Sequence, residues 1–153
     1  DTVRREDVDL LLVTYGTGPV EPPADVAHRV VDLGLVDDTT RDDAMAAATA
    51  YVQPSALESF SRTVMEAWLA GTPVIANGAS DVVRWHIERS GAGITYDDDA
   101  ELEQALRFVA EASDAAAALA EPGRDYVLDH YTWADTLDRM EASLDEWFPD
   151  GTP

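Results

Sequence analysis

Two carboxylates, Glu58 and Glu66, stand eight positions apart and bracket the segment Ser59-Phe60-Ser61-Arg62-Thr63. On a continuous helix that spacing separates them by about 12 Å along the axis and about 80° in rotation. The paired carboxylates of glycoside hydrolases lie roughly 5 to 9.5 Å apart. The spacing therefore argues against an acid/base pair acting on one bond and suits the two ends of one long ligand. A carboxylate accepts two hydroxyls at once, which is how a sugar diol is held. Between the two glutamates the chain enters a helix, whose first four N–H groups lack internal partners and whose dipole adds about half a positive charge. A phosphate or diphosphate binds such an end without a lysine. Ser61 and Thr63 can add hydroxyl donors and Arg62 a charge. The simpler alternatives are that Ser59 or Ser61 is an ordinary N-cap and that Glu66 is an ordinary helix-surface carboxylate.

The elements around this segment read as alternating strands and helices. Val8 to Thr14 is a continuous apolar run too short for a buried helix, which fits a strand buried on both faces. His28 to Leu33 is a second, shorter strand. Asp38, Thr39 or Thr40 can cap an Ala-rich helix over Arg41 to Thr49. Ala50 to Gln53 is a strand stopped by Pro54. Ser61 to Ala70 is helical, with Val64, Met65, Trp68 and Leu69 on one apolar stripe. Val74 to Ala76 and Gly93 to Tyr96 are strands, with a helix between them opened by Ser80 or Asp81. Helices follow over Ala100 to Glu111, over Ala115 to Leu119, from Pro122, and over Trp133 to Phe148. The last carries Leu137, Met140, Leu144 and Trp147 on one stripe, and Pro149 to Pro153 reads as a frayed tail. Apolar strand runs alternating with helices predict one doubly wound, Rossmann-like α/β domain over residues 1–148, three layers deep, with ligands outside the carboxyl ends of its strands. The loop from Pro54 to Ser61 lies at such an end.

Composition narrows the partners. The 153 residues suffice for one domain with a core, net charge is −21, and every Lys-or-Arg position is arginine. That field repels nucleic acid and anionic surfaces, so no nucleic-acid partner is expected. A solvated acidic surface, as in a salt-adapted source, explains the charge more simply than an acidic face for a basic partner. There are no cysteines, no apolar run of transmembrane length and no leader pattern, which favours a cytoplasmic location. His28, His86 and His130 share no ligand spacing, so no metal site is expected. Gly16-x-Gly18 lacks the third glycine of a dinucleotide fingerprint. Trp68, Trp133 and Trp147 read as core residues.

The stretch PSALESFSRTVMEAWLAGTPVIANG resembles the signature of retaining, group 1 (family 4-like) glycosyltransferases of the GT-B fold, with its Glu-x7-Glu motif and "EAxAxGxPV" tail. LLLVTYGTGP, VVDLGLVDD, SGAGITYDDDAELEQAL and HYTWADTLDRMEASL resemble further segments of the family in the same order, so the resemblance covers about residues 8–148. It implies the carboxy-terminal, donor-binding half of a hexosyltransferase with a nucleotide-diphospho-sugar as substrate and no cofactor. Carried over by position, Glu58 takes the catalytic place against the donor sugar's hydroxyls. The N–H groups of Ser59, Phe60 and Ser61 lie along the sugar and distal phosphate. Those of Arg62 and Thr63 hold the diphosphate, Glu66 takes the ribose diol, and backbone near Val36 meets the base. A non-catalytic nucleotide or sugar-phosphate binding module of the same fold is the alternative, and an epimerase a more distant one.

Two departures from the family pattern carry expectations. Ser59-Phe60-Ser61 replaces the usual Gly-Phe-Gly, so side chains stand where the backbone approaches the sugar. The family's opening strand, its basic pair and its amino-terminal acceptor domain have no counterpart here, so the isolated chain is expected to turn over poorly or not at all. In the 3-2-1-4-5-6 strand order the lacking strand is central. The chain is then expected to self-associate through exposed sheet edges or to pair its second and fourth strands directly. In a longer protein the location extends to the inner face of the membrane.

Overall fold

The computed structural model describes residues 10–149. Val8 and Asp9 of the first expected strand, and residues 150–153 of the expected tail, lie outside the described residues. The chain runs β1 (Leu12–Thr14), a 3-10 turn (Ala27–Arg29), β2 (Val30–Asp32), α1 (Asp38–Ala47), β3 (Tyr51–Gln53), α2 (Arg62–Leu69), β4 (Val74–Asn77), α3 (Asp81–Ser90), β5 (Ile94–Tyr96), α4 (Asp99–Glu111), α5 (Ser113–Ala117), α6 (Glu121–His130) and α7 (Trp133–Trp147). All strand pairs are parallel, which is the α/β architecture the sequence predicts.

The strands form two groups, β1-β2 and β3-β4-β5. The expected direct pairing of the second and fourth strands, here β1 with β3, does not occur among the described residues. Tyr15, just after β1, and Tyr51, at the start of β3, instead pack against the larger apolar cluster.

The three-stranded group organises the core. Side chains alternate across it, as a pleated strand requires. Val74 and Ala76 face a cluster with Val64, Met65, Ala67 and Trp68 of α2, Val83 and Ile87 of α3, and Tyr126 and Val127 of α6. Ile75 and Tyr96 face Ala105 and Val109 of α4 and Ala116 of α5, with Val52 and Ile94 at the margin. Helices on both faces make this part three-layered. The burial expected on both faces of β1 does not hold, because the core gathers on β3–β5 and leaves Leu12 and Val13 42% and 43% exposed.

Local signals account for most boundaries. Ser80 caps α3 by accepting from the Val83 N–H, and Asp98 caps α4 by accepting from the Glu101 N–H. Glu101 reaches back to the Asp97 N–H at 2.7 Å, a reciprocal cap. The cap of α1 is Asp37, one residue before the expected candidates, and its side chain accepts from the Thr40 N–H at 2.8 Å. That bond holds the Asp37 carboxyl below the usual carboxylate range. His28 and Arg29 turn as 3-10 helix rather than strand, and the Arg29 N–H bonds the Val26 carbonyl at 2.9 Å.

The helix faces are less uniform than the apolar spacing suggests. Trp68 is fully buried, but Trp133 and Trp147 are 80% and 70% exposed, which corrects their reading as core residues. The stripe Leu137, Met140, Leu144 and Trp147 does fall on one helix, yet no residue of α7 is buried. Periodicity reports a helix and its face, not what covers that face.

Helix α6 crosses α2 at Gly123. A Cβ at this position would fall well inside contact distance of the Trp68 indole ring. Replacing Gly123 with alanine should normally favour a helix by about 1 kcal/mol. Here overpacking against a fixed ring should dominate, and Gly123→Ala is expected to lower stability by about 1–3 kcal/mol. The urea midpoint of unfolding at unchanged m-value measures this, and a stabilised variant would remove the close approach as the reason for glycine.

Candidate functional site

The loop 54–61 lies at the carboxyl end of β3 and runs into α2. Gln53, the last residue of that strand, is its hub. Its Oε1 accepts from the Ser55 N–H at 3.2 Å, and its Nε2 donates to Ser61 Oγ at 3.1 Å and to Thr63 Oγ1 at 3.3 Å. Ser55 Oγ donates to the Leu57 carbonyl at 3.0 Å, and Asn77 Nδ2, from the end of β4, donates to the Pro54 carbonyl at 3.1 Å. Strand ends on two neighbouring β-strands therefore fix the loop.

Ser61 adopts φ 63° and ψ 63°, and among the described residues it is the non-glycine residue with positive φ. Such a conformation costs about 1–3 kcal/mol outside glycine and persists where its surroundings hold it. Ser61 is 4% exposed, and its hydroxyl is engaged by Gln53. It occupies the N-cap position of α2, but its side chain makes no capping hydrogen bond. The plain N-cap reading of Ser61 therefore does not hold. Arg62 begins the helix and is exposed, as is Ser59 before the turn.

Tyr51 links the two glutamates. Burial raises its phenol pKa first, a hydrogen bond with Thr63 opposes this, and the negative charges of Glu58 and Glu66 raise it further. Both carboxylates thus act on one residue at the start of β3. Glu66 stands one turn into α2, partly buried, with its Oε2 4.0 Å from Arg41 Nε. Arg41 also pairs with Asp38 and Asp42 on its own helix at 3.1 and 2.9 Å. Val36 is half-buried immediately before Asp37, the cap of the helix that carries Arg41. Tyr15 completes this side, its phenol raised by burial first, then by Tyr51 and, further down, by Glu66, while Arg41 opposes the rise.

The structure so gathers Glu58, Thr63 and Glu66 around Tyr51 and sets Val36 at the end of the helix that faces Glu66. Ser59, Phe60 and Ser61 form the turn between the glutamates. Sequence spacing did not reveal Gln53, Tyr51, Tyr15 or Arg41. Gln53 carried a usable signal, a polar side chain ending a strand just before Pro54. The sequence reading treats His86 only as a histidine without ligand spacing and does not bring it to the turn. It lies on α3, 2% exposed, beneath Phe60. His86 and His130 are brought into one aromatic group through Tyr126, whereas no group of three or more metal-ligating side chains occurs among the described residues.

Parallel strands with helices on both faces, and a helix N-terminus at a strand's carboxyl end, define the class of doubly wound α/β domains. The family model for glycosyl transferases group 1 matches residues 1–112, and the chain belongs to that family. It is 39% identical over 77 residues to a phosphatidyl-myo-inositol mannosyltransferase of Mycolicibacterium smegmatis, covering 48% of this chain and 20% of that protein. Among solved structures it resembles the sucrose-phosphate synthase of Thermosynechococcus elongatus, with a TM-score of 0.73 and 25% identity over 93% of this chain and 39% of that one. It also resembles the Anabaena protein Alr3699/HepE solved with UDP, with a TM-score of 0.70 and 22% identity over 79% of this chain and 33% of that one. The chain thus spans a fifth of the mannosyltransferase and well under half of either solved chain.

Proposed function

We propose that this chain is the donor-binding part of a retaining glycosyltransferase that transfers a hexosyl group from a nucleotide-diphospho-sugar. The observation that carries the reading is the start of α2, whose first-turn amides receive no side-chain cap and lie between Glu58 and Glu66. The diphosphate sits at this helix end, with the amides of Arg62 and Thr63 donating to it. Glu58 takes the donor sugar's hydroxyls, the amides of Ser59, Phe60 and Ser61 run along the sugar and distal phosphate, Glu66 takes the ribose diol, and backbone near Val36 meets the base. Glu58 serves as the catalytic carboxylate in the sense that it touches the reacting sugar. The UDP of the Anabaena structure is a ligand of the class this reading requires.

The protein's part in the reaction is positioning and charge stabilisation. In a front-face transfer the departing phosphate helps remove the acceptor's proton, and no protein nucleophile is needed. Acceptor recognition belongs to a further domain, and no metal or cofactor enters the scheme. The location is cytoplasmic, with the longer protein at the inner face of the membrane.

Calorimetric titration of the chain with UDP, GDP and ADP, against inorganic phosphate as control, tests the reading. Weak saturable binding of at least one nucleoside diphosphate is expected, with little or no sugar transfer. Failure of all three to bind would overturn the donor site, and rapid transfer by this chain alone would overturn the need for a separate acceptor domain.

A further inference from the structure

The turn that enters α2 is tied to the sheet by one buried side chain. Gln53 ends β3 and pairs in register with Ala76 of β4, so its backbone is held by the three-stranded group. Its Oε1 lies 3.2 Å from the Ser55 N–H, and a backbone N–H can only donate. That contact settles which end of the amide is which. Nε2 therefore faces Ser61 Oγ at 3.1 Å and Thr63 Oγ1 at 3.3 Å, with one amide proton for each hydroxyl oxygen.

The three contacts span the place where the chain changes direction. Ser55 lies in the loop before the turn, Ser61 in the turn itself and Thr63 in the first turn of α2. Ser61 holds φ 63° and ψ 63°, and its carbonyl accepts from the Val64 N–H at 3.1 Å to start the helix. Glycine takes this left-handed backbone at no steric cost, whereas a residue with a Cβ needs an external hold. Gln53 supplies that hold through the atom that distinguishes serine from alanine, its Oγ. Serine at this position thus brings both the strain and the handle that restrains it.

We propose that Gln53 is a positioning residue for the phosphate-binding turn, holding Ser61 in its left-handed conformation so that the amides at the start of α2 are presented together to a diphosphate. The inference rests on the donor-site reading above for its ligand, but not for the coupling between Gln53 and Ser61. Gln53 acts through the turn and not on the ligand. It raises the fraction of molecules whose turn already has the binding conformation, and apparent affinity follows that fraction.

Substitutions at the two positions separate this role from simple core filling. Gln53→Met keeps the length of the side chain and loses all three bonds. Ser61→Ala keeps the Cβ and loses the handle. Ser61→Gly loses both, and adding Gln53→Met to it asks whether Gln53 still matters once the strain is gone. UDP, GDP and inorganic pyrophosphate are the probes. With serine at position 61, Gln53→Met is expected to weaken their binding about fivefold, the equivalent of one neutral hydrogen bond, and in the Ser61→Gly chain by less than about twofold. Ser61→Ala is expected to bind about fivefold more weakly than Ser61→Gly. Amide hydrogen exchange over residues 59–64 is expected to rise when Gln53→Met is added to the native chain and much less when it is added to Ser61→Gly, with that in α4 unchanged.

One common factor for Gln53→Met in both backgrounds, or equal affinity of Ser61→Ala and Ser61→Gly, would overturn the proposal. If the native chain binds none of the probes, the donor-site reading fails, and the exchange comparison between the two backgrounds still decides the role of Gln53. Should Gln53→Met not fold, the comparison of Ser61→Ala with Ser61→Gly decides, because both leave the glutamine in place.

Discussion

Replacing Trp68 with alanine is expected to cost about 3–5 kcal/mol of folding stability, the range for removing a large aromatic from a core. Trp68 is fully buried on α2, with Tyr126 edge-on at 6.1 Å and Gly123 of α6 against its ring. It joins the helix that bears the site to α6, which carries both Gly123 and Tyr126. Its indole Nε1 is buried and finds no hydrogen-bond partner among the described residues. A buried unpaired donor costs about 1–3 kcal/mol, so Trp68→Phe removes volume and removes that penalty together. Phenylalanine is therefore expected to cost far less than alanine, under about half as much. Trp68→Ala, and not Trp68→Phe, should relieve Gly123→Ala, because the new Cβ meets Cγ, Cδ1 and Cδ2 of the indole and a phenyl ring keeps atoms in those places. Urea unfolding of the two single variants and the double variant measures the coupling. Strict additivity would show that Gly123 is not there to admit the indole.

The contrast between Trp68 and the tryptophans of α7 shows where sequence reading stops. Helix α2 was legible from its stripe, of which Val64, Met65 and Trp68 are buried and Leu69 is exposed. Helix α7 has an equally clear stripe, and that face is exposed. Both patterns carry the same helical period, since period depends only on backbone geometry. Whether a face is covered depends on which elements fold against it, and this is a long-range property. The first strand illustrates the same point, because an apolar run reads as buried on both faces while Leu12 and Val13 remain half-exposed.

The site was legible to a similar depth. Glu58, the turn and Glu66 can be named as candidates from the sequence because they are local and the helix imposes their spacing. Tyr51, Gln53, Arg41 and His86 were not, since each reaches the turn across a strand or from another helix. Ser61 was read as a possible cap because serine commonly caps. Only the backbone, with φ at 63°, shows that it does something else. Hydrogen-bond direction and backbone strain are set by packing, and residue types alone do not encode them.

Substituting Glu66 with glutamine is expected to weaken nucleoside diphosphate binding by roughly 10- to 150-fold, the equivalent of the 1.5–3 kcal/mol typical of hydrogen bonds to a charged group. Two effects oppose each other. Glu66 is one of the acidic groups in a chain of net charge −21, and neutralising it reduces repulsion of an anionic ligand. It also removes one of the carboxylates around Arg41, the one 4.0 Å from its Nε, while Asp38 and Asp42 stay paired with the guanidinium. Both changes favour binding, but exposed charges are screened over about 8 Å at physiological salt, and a partly exposed pair contributes only about 0–1 kcal/mol. Loss of the bidentate acceptor for the ribose diol should therefore win for ribonucleotides. It should not win for ligands without the diol. UDP and GDP are expected to lose affinity in Glu66→Gln, their 2′-deoxy counterparts to change much less, and inorganic pyrophosphate to bind as well or slightly better. The native chain should prefer ribo- to 2′-deoxynucleotides, and the variant should lose that preference. If Glu66→Gln weakens UDP, dUDP and pyrophosphate by one common factor, the carboxylate acts on the turn or on Arg41 and not on the sugar. That result would take the ribose contact away from Glu66 while leaving the helix end as the seat of the phosphates.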